Sequence, residues 1–205
     1  EEVTNILKTM KDIYREFNFE PMFHLATRPT KCMGTEDQWI EAELNLDMAL
    51  QNNLGSNYGV KEGDGAFYGP KIDIHIKDSQ DRDWQLATIQ LDFQIPDRME
   101  LEYIDKDGKA KRPIIIHQAI LGSMERFIGI LLEHTQGKLP EFLAPIQSVI
   151  IPVSDNHYEY AQKIANKDIR YVIDNRNMSV SARVREAKIQ KIPNVIVIGD
   201  KEMEI

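Results

Sequence analysis

Apolar side chains recur at helical spacing in the first 55 residues and at strand spacing after them. Residues 1–17 place apolar side chains three and four positions apart, which indicates one buried face of a helix. A second helix is predicted to begin after Thr35, because Gln38 follows three positions later as in a capping box, and to end near Gly55. Residues 71–77 alternate strictly instead, which predicts a half-buried strand. The positions on its apolar face are Ile72, Ile74 and Ile76.

Further strands are predicted in the middle of the chain. Residues 84–93 form a second predicted strand after a polar turn. Residues 99–104 and 112–118 form a further predicted antiparallel pair around a turn at 105–108. Antiparallel strands followed by a helix favour an α+β fold.

Residues 113–133 predict a helix with two unlike faces. Its apolar arc consists of Ile120, Leu121, Met124, Phe127, Ile128, Leu131 and Leu132. Gly122, Arg126 and Gly129 lie opposite that arc, with Gln118 beside them. Such a face lets a flat or anionic group approach closely, with Arg126 as a clamp. The alternative is an exposed arginine between two tolerated glycines, although each glycine costs roughly 1 kcal/mol in a helix relative to alanine.

The last third of the chain alternates strands with helices, which implies a small parallel sheet. The predicted strands are 148–153, 169–174 and 194–198, and the predicted helices are 155–167 and 181–191. We therefore predict two domains, 1–143 and 144–205, with an α+β first part and a small α/β second part.

Composition and charge narrow the class of protein. The 205 residues are 42% hydrophobic and 28% charged, and no run approaches the ~20 apolar residues of a membrane span. The net charge of −8 argues against indiscriminate nucleic-acid binding, although it allows a local basic surface. One such cluster is Arg183, Arg185, Lys188 and Lys191, although a solvated helix face is the more frequent explanation of a cluster that small. The single cysteine, Cys32, fits a reducing compartment. Because the chain opens inside a helix, we expect it to be part of something longer.

Several polar residues in the middle of the chain could carry chemistry. The glycine-rich loop at 62–71 presents Tyr68 and Lys71 at a strand edge, but ordinary turns are built the same way. His117 follows a run of isoleucines and, taken alone, has the setting of a packed core residue. The polar positions in the otherwise apolar second strand include Gln85, Thr88 and Gln90. They could contact sugar and base edges, or simply be strand-edge residues.

Three long motifs together resemble the threonyl-tRNA synthetases, a family of class II aminoacyl-tRNA synthetases. They are Glu-Gly-Asp-Gly-Ala-Phe-Tyr-Gly-Pro-Lys at 62–71, Trp-Gln-Leu-Ala-Thr-Ile-Gln-Leu-Asp-Phe at 84–93 and His-Gln-Ala-Ile-Leu-Gly-Ser-Met-Glu-Arg-Phe at 117–127. Thr27-Arg28-Pro29 and Trp39 match as well, and residues 145–205 resemble the family's anticodon-binding domain. The resemblance implies part of an antiparallel class II catalytic core followed by part of an anticodon-binding domain.

The resemblance also implies roles at matching positions. Arg126 and Lys71 would be catalytic, with Arg126 holding the ATP phosphates. His117 would be one of three ligands of a Zn²⁺ ion that binds the amino and hydroxyl groups of threonine. Gln90 would lie near the adenylate and the tRNA 3′ end. The implied threonine pocket is lined by Tyr68, Lys71 and Ser123. The implied ribose contacts are Gln85 and Thr88, and the implied anticodon contacts are Asn177, Arg185 and Glu202.

Departures from the family pattern qualify these roles. The family's first and second motifs, with two zinc ligands and an arginine, lie upstream of Glu1, and Cys32 does not replace the missing ligand. Gln118 stands where the family usually has arginine. The helix at 155–167 is about one turn short, which is either a deletion or a gap in the sequence.

We therefore expect part of a cytoplasmic or organellar threonine–tRNA ligase. Its parent would use ATP with Mg²⁺, threonine and tRNA(Thr), would need Zn²⁺, would be a homodimer and would not contact a membrane. Two alternatives stay open: a non-catalytic paralogue that binds RNA or a protein partner, and a class II ligase for another amino acid. His117 argues against the last one.

Overall fold

A computed structural model describes residues 1–165 and 168–204, and the chain divides into two compact units, Glu1–Ile130 and Leu131–Ile205. The helices that begin in the first unit are α1 (Glu2–Glu16), α2 (Glu36–Leu54), α3 (Gln94–Arg98) and α4 (Met124–Thr135). Its strands are β1 (Met22–Ala26), β2 (Gly59–Lys61), β3 (Lys71–Lys77), β4 (Asp83–Asp92), β5 (Tyr103–Ile104), β6 (Ala110–Lys111) and β7 (Ile115–Ala119).

The two predicted N-terminal helices are confirmed. Thr35 and Gln38 form the capping box that begins α2, and Gly55 follows its end. The Tyr14 hydroxyl of α1 donates to the Ile120 carbonyl oxygen at 2.6 Å, which ties this helix to the turn after β7. Burial raises the pKa of the Tyr14 hydroxyl, so it stays a donor.

Five strands form a mostly antiparallel sheet in the order β2-β1-β3-β4-β7. Only the β1–β2 pair is parallel. The core lies on one face of this sheet, where Ile72, Ile74 and Ile76 of β3 and Ile89 of β4 are completely buried. Buried side chains of α1 and α2, including Met10, Trp39 and Leu46, complete this core.

The prediction that β3 is half buried is wrong. Asp73 is fully buried and His75 is 7% exposed on the face opposite the isoleucines. Both are covered by polar neighbours: Lys71 and Gln85 bond to Asp73, while Lys61 and Asp83 bond to His75. Burial of this face comes from hydrogen-bonded side chains, which an alternating sequence pattern does not reveal.

Residues 99–118 differ from the prediction. The predicted long antiparallel pair is reduced to β5 and β6, two residues each, around a turn in which Asp105 N donates to Lys109 O. Pro113 separates β6 from the next strand because proline has no N–H to donate. Residues 115–119 then form β7, which pairs with β4 instead.

The predicted helix over 113–133 is correspondingly too long, because α4 begins only at Met124. The β-branched run at 114–116 favours a strand. Gly122 has φ of +65°, a left-handed conformation that no α-helix interior adopts. The segment is thus a strand, a turn and a shorter helix.

The second unit contains a small parallel sheet of three strands, as predicted, and its strand order is β10-β8-β9. Its elements are β8 (Ser148–Pro152), α5 (Tyr158–Ile164), β9 (Tyr171–Ile173), α6 (Val180–Ile189) and β10 (Asn194–Ile198), with 3₁₀ turns at Glu141–Leu143, Asp155–His157 and Lys201–Glu204. Alternate residues of β8 serve two cores: Val149 and Ile151 pack with Ala187, and Ile150 packs with Ala161 and Ile198. The predicted helix at 155–167 extends to positions 166 and 167, which lie outside the described residues.

Among the helices that the structure describes, none combines the length and apolar character needed to cross a membrane.

Candidate active site

Three polar side chains of the first unit stand side by side across the sheet. Lys71 on β3 lies opposite Gln90 on β4, and Gln90 lies opposite His117 on β7. Residues paired in this way project from the same face. The strand pairing therefore brings together three residues that the sequence analysis assigned to one site, on the face opposite the isoleucine core.

The glycine-rich loop at 62–70 lies directly on the sheet backbone beside this row. A Cβ at Gly69 would be 1.8 Å from the carbonyl oxygen of Leu91, and one at Gly65 would be 2.5 Å from that of Thr27. Only glycine permits such backbone approaches. Gly65 and Gly69 are therefore required by packing, beyond their use in a turn.

Tyr68 of this loop reaches the row and hydrogen-bonds Gln90. Its hydroxyl donates to Gln90 Oε1. Burial and then the Asp92 charge raise the pKa of Tyr68, against the opposing charge of Lys71, so the hydroxyl stays protonated. Because Gln90 Oε1 accepts from Tyr68, the amide directs its two N–H donors elsewhere.

Lys71 and Gln85 share a carboxylate that the sequence analysis missed. Asp73 Oδ2 accepts from Lys71 Nζ at 2.8 Å, and Asp73 Oδ1 accepts from Gln85 Nε2 at 2.6 Å. Lys71 is itself largely buried, with a second carboxylate, Asp64, at 4.0 Å. The only sequence signal for Asp73 is its place between two isoleucines on β3.

His117 is not a packed core residue. Its side chain is 43% exposed, and its Nε2 lies 3.0 Å from Oδ2 of the buried Asp92. Burial opposes ionisation of Asp92, but the backbone amides of Ile95 and Gln94 together with His117 lower its pKa. Asp92 therefore stays ionised and orients the imidazole.

The zinc site implied by the resemblance is not complete within the described residues. A protein zinc site takes three or four ligands. The described part of the chain contains no group of three histidine, cysteine or acidic side chains that could hold a metal ion. His117 is one suitable donor, and zinc binding there stays a prediction.

A concave surface of about 390 Å³ lies at one end of the polar face. The three predicted ATP-binding residues, Gln85, Thr88 and Arg126, all line it. The Thr88 hydroxyl oxygen is buried without a hydrogen-bond partner among the described residues. A Cβ at Gly122 would lie 2.9 Å from Leu86 O and 3.7 Å from an Arg126 guanidinium nitrogen. Gly122 therefore leaves the Arg126 side of this surface open.

Ser123 and Gly129, which are also near Arg126 in the sequence, do not border the concave surface. Ser123 accepts from the Arg126 backbone N–H at 3.4 Å at the start of α4, and it does not line the concave surface beside Arg126. Apart from its own helix backbone, no atom of the described residues lies within 4 Å of a Cβ at Gly129, so this glycine fits the alternative that it is merely tolerated. Gly122 precedes the helix and Gly129 lies inside it, so the two do not frame Arg126 on one helix face.

Comparison with protein families accounts for both units. Residues 1–135 match the family described as tRNA synthetase class II core domain (G, H, P, S and T). The chain belongs to this family. Residues 147–205 match the family described as anticodon binding domain. The fold is thus a class II synthetase core of α+β type followed by an anticodon-binding domain, as predicted.

Individual relatives carry the name of one synthetase. The threonine–tRNA ligase of Caldanaerobacter subterraneus is 47% identical over 100% of this chain and 32% of its own length. A crystal structure of the RNA binding domain of threonyl-tRNA synthetase from Cryptosporidium parvum matches with a TM-score of 0.91 and 40% identity, over 100% of this chain and 52% of that one. A crystal structure of a putative threonyl-tRNA synthetase from Aeropyrum pernix matches with a TM-score of 0.79 and 29% identity. This match covers 98% of this chain and 50% of that one. The chain spans about a third of the curated relatives' length.

The predicted anticodon contacts are spread over the anticodon-binding domain. Asn177 is exposed in the connection between β9 and α6, and Arg185 is exposed on α6. Glu202 lies in the last 3₁₀ turn, where its Oε2 accepts from the Gly199 backbone N–H at 2.9 Å. The structure does not bring these three side chains into one contact.

The predicted basic cluster loses one member in the anticodon-binding domain. Arg183 is buried and donates to the Asp174 carbonyl oxygen at 2.6 Å, because it lies on the core side of α6. Arg185, Lys188 and Lys191 line a shallow surface of about 560 Å³. The basic surface therefore consists of Arg185 and Lys188 on α6 and Lys191 just after its end.

A serine, a histidine and an aspartate of the anticodon-binding domain form a hydrogen-bonded chain that the sequence analysis did not find. Ser154 Oγ lies 2.8 Å from His157 Nδ1, and His157 Nε2 lies 2.9 Å from Asp200 Oδ1. The Ser154 backbone N–H also donates to Nδ1, which makes this a capping box. These hydrogen bonds hold the turn before α5 to the turn after β10.

Proposed function

We propose that residues 1–135 form one wall of the threonine-activating site of a longer threonine–tRNA ligase. The observation that carries this proposal is that most of the predicted substrate and nucleotide residues lie on or beside one polar face of the sheet. These residues are Tyr68, Lys71, Gln85, Thr88, Gln90, His117 and Arg126.

The reaction has two steps. A carboxylate oxygen of threonine attacks the α-phosphorus of ATP and pyrophosphate leaves, which gives threonyl-adenylate. A hydroxyl of the terminal adenosine of tRNA(Thr) then attacks the carbonyl carbon and AMP leaves. Charge develops on phosphate oxygens in the first step, so fixed cations and hydrogen-bond donors are the groups that accelerate it.

The side chains of the wall divide this work. Arg126 binds the ATP phosphates from the open side of the concave surface, with Mg²⁺ as the counterion of the nucleotide. Gln85 Oε1 accepts from a ribose hydroxyl, because the other end of this amide is bonded to Asp73. Lys71 places an ammonium group beside the reacting carboxylate and α-phosphate. Gln90 offers N–H donors to the adenylate, because Tyr68 occupies its oxygen.

The remaining roles follow the similarity to threonine–tRNA ligases. Ser123 borders the threonine pocket from the start of α4. His117 would contribute one ligand to a Zn²⁺ ion that holds the substrate amino and hydroxyl groups, with Asp92 orienting its ring. Since the described residues do not complete that site, no step above depends on the metal.

The second domain, predicted at 144–205, would contact the anticodon of tRNA(Thr) through Asn177, Arg185 and Glu202. The basic surface of Arg185, Lys188 and Lys191 suits phosphate contacts. The full-length protein would act as a homodimer in the cytoplasm or an organelle.

Nucleotide binding by the 205-residue chain tests this proposal. ATP with Mg²⁺ is titrated against the protein and followed by ligand-observed NMR. Arg126→Gln is expected to weaken binding about tenfold or more, through loss of a charge-assisted contact. Arg185→Gln in the second domain is the matched control and should leave the affinity unchanged. Absence of saturable ATP binding, or equal binding by Arg126→Gln, would contradict the assignment.

Catalysis by the same chain is expected to be absent. The described residues include one of the implied arginines and one of the implied zinc ligands, so the transition state lacks much of its stabilisation. Threonine-dependent exchange of pyrophosphate into ATP is the measurement. Exchange above the level of an Arg126→Gln control would show that this wall suffices.

A further inference from the structure

The central strand of the polar face carries a carboxylate with no exposure at all. Asp73 is 0% exposed on β3, which lies between β1 and β4 in the sheet. A buried carboxylate is tolerated only where hydrogen bonds and a counter-charge replace its lost water. Asp73 obtains both from two side chains, Lys71 at 2.8 Å and Gln85 at 2.6 Å, one on each oxygen.

Each of these bonds fixes a side-chain group that a ligand would contact: the Gln85 amide and the Lys71 ammonium. A carboxylate only accepts hydrogen bonds, so Gln85 must turn its Nε2 toward Asp73 and its Oε1 away from it. Lys71 is held at the start of β3, directly opposite Gln90. Without Asp73, the Gln85 amide would be free to rotate, and the lysine ammonium would have Asp64 at 4.0 Å as its nearest carboxylate.

Another buried carboxylate of the same sheet shows what a purely structural role looks like. Asp78 is 6% exposed at the turn after β3. Its partners are the backbone amides of Gln80 and Arg82 and the side chains of Arg82 and Trp84, all within six residues. Asp73 bonds instead to the side chains of Lys71 and Gln85, which are predicted substrate-binding and nucleotide-binding residues.

We propose that Asp73 is a positioning residue that orders Lys71 and Gln85 together, so that one buried carboxylate aligns the threonine side and the nucleotide side of the site. The identity of the two ligands rests on the proposed function, whereas the ordering of the two side chains does not. Asp73 itself contacts neither ligand.

The ordering is tested without any ligand. Side-chain NMR relaxation reports the mobility of the Gln85 amide group and of the Lys71 terminal methylene. Asp73→Ala is expected to mobilise both, while Asp73→Asn, which keeps one acceptor oxygen and the side-chain shape, should leave one of the two ordered. Asp78→Asn is the matched control, because it alters a buried carboxylate that bonds to neither group. Unchanged order of both side chains in the Asp73 variants would overturn the proposal.

Ligand affinities give the second test. Asp73→Asn should weaken binding of ATP with Mg²⁺, of threonine, or of both by about five- to tenfold, the value of one hydrogen bond. Asp174→Asn, which alters a buried carboxylate of the second unit, should leave both affinities unchanged. In a Gln85→Leu background the Asp73 change should not weaken ATP binding further, and in a Lys71→Met background it should not weaken threonine binding further. A purely structural role would instead give equal, additive losses in both backgrounds and would contradict the proposal.

The relaxation and affinity tests distinguish a failure of the proposed function from a failure of the positioning role of Asp73. If the unaltered chain binds neither ligand, the proposed function fails for this chain, and the relaxation data alone decide the role of Asp73. If the unaltered chain binds both ligands and Asp73→Asn binds them equally well, the proposed function stands and Asp73 does not position its neighbours.

Discussion

The two faces of the five-stranded sheet are built from alternate residues of the same strands, yet they are buried in different ways. On one face Ile72, Ile74 and Ile89 are excluded from water by apolar packing. On the other face Asp73 and Asp92 are equally buried, but each oxygen has its own donor. Apolar packing is non-directional and adjusts to small changes, whereas a buried carboxylate loses a whole interaction when one partner moves. Stability therefore resides mainly in one face and orientation in the other.

In the second unit, by contrast, apolar packing covers both faces of the sheet. Alternate residues of β8 enter two separate apolar cores, one with α6 and one with α5. Parallel sheets are normally covered on both sides in this way. Candidate contact residues of this unit consequently lie in connections and on a helix surface, as Asn177 and Arg185 do.

Truncation of the apolar face should have the largest effect. Ile74→Ala is expected to lower the free energy of unfolding of the first unit by about 3–4 kcal/mol, because a fully buried side chain leaves a cavity. Both tryptophans, Trp39 and Trp84, lie in this unit, so fluorescence during urea unfolding reports it. ATP affinity of the remaining folded protein should be unchanged. A weaker affinity would mean that the two faces are not separate in function.

A change at the loop that lies on the sheet should affect both faces. Gly69→Ala is expected to destabilise the first unit by about 2–3 kcal/mol, because the added Cβ overlaps the Leu91 carbonyl oxygen. It should also displace Tyr68 from Gln90, which NMR of the Gln90 side-chain amide would detect. An unchanged unfolding midpoint would show that the loop can lift away from β4 without penalty.

Acid should act on the polar contacts and leave the apolar ones intact. Burial opposes ionisation of Asp78, but bonds from Trp84, Arg82 and Gln80 hold its pKa below the ordinary value. A depressed carboxylate pKa contributes stability above the unfolded-state value, near 4, and that contribution is lost as pH falls further. Asp78→Asn should thus reduce stability at pH 7 and weaken its dependence on pH below about 4. The measurement is urea unfolding between pH 3 and pH 7, and an unchanged pH dependence would contradict the assignment.

The smallest expected effect on stability comes from alanine substitutions at Gly129 and Gly122, which should act in opposite directions. Gly129→Ala should stabilise the protein by about 1 kcal/mol, since the site is open and alanine favours a helix. Gly122→Ala should destabilise it, because φ is +65° and Leu86 O is 2.9 Å from the new Cβ. Thermal unfolding of the two variants measures both. Stabilisation by Gly122→Ala would overturn the view that this turn requires glycine.

The sequence predicts the local features better than the long-range ones. Periodicity and turn chemistry, which act over a few residues, predict the capping box at Thr35, the strand β3 and the alternating strands and helices of the second unit. The helix predicted over 113–133 fails because its isoleucine run fits helical and extended spacing alike, and the pairing of β7 with β4 decides between them. That pairing is a contact between distant segments and leaves no periodic signal.

The candidate site shows the same division. The family resemblance in the sequence predicts six residues that the structure places on or beside one face: Lys71, Gln85, Thr88, Gln90, His117 and Arg126. The sequence does not indicate Asp73, because its importance lies in full burial, which depends on Lys71 and Gln85 folding over it. Nor does it indicate the hydrogen bonds that join Ser154, His157 and Asp200, because 43 residues separate the last two. The sequence groups Arg183 with the surface cations, because charge alone does not reveal which side of a helix faces the core.

The backbone contact between Gly69 and Leu91 has a consequence for how this wall would meet a substrate. With no side chain between them, the loop and β4 are too close to shift independently, so the Tyr68 hydroxyl is preset relative to Gln90 before anything binds. A preorganised contact loses little conformational entropy on association, and more of the interaction energy is then retained as affinity. This part of the surface is accordingly expected to have the same shape empty and occupied.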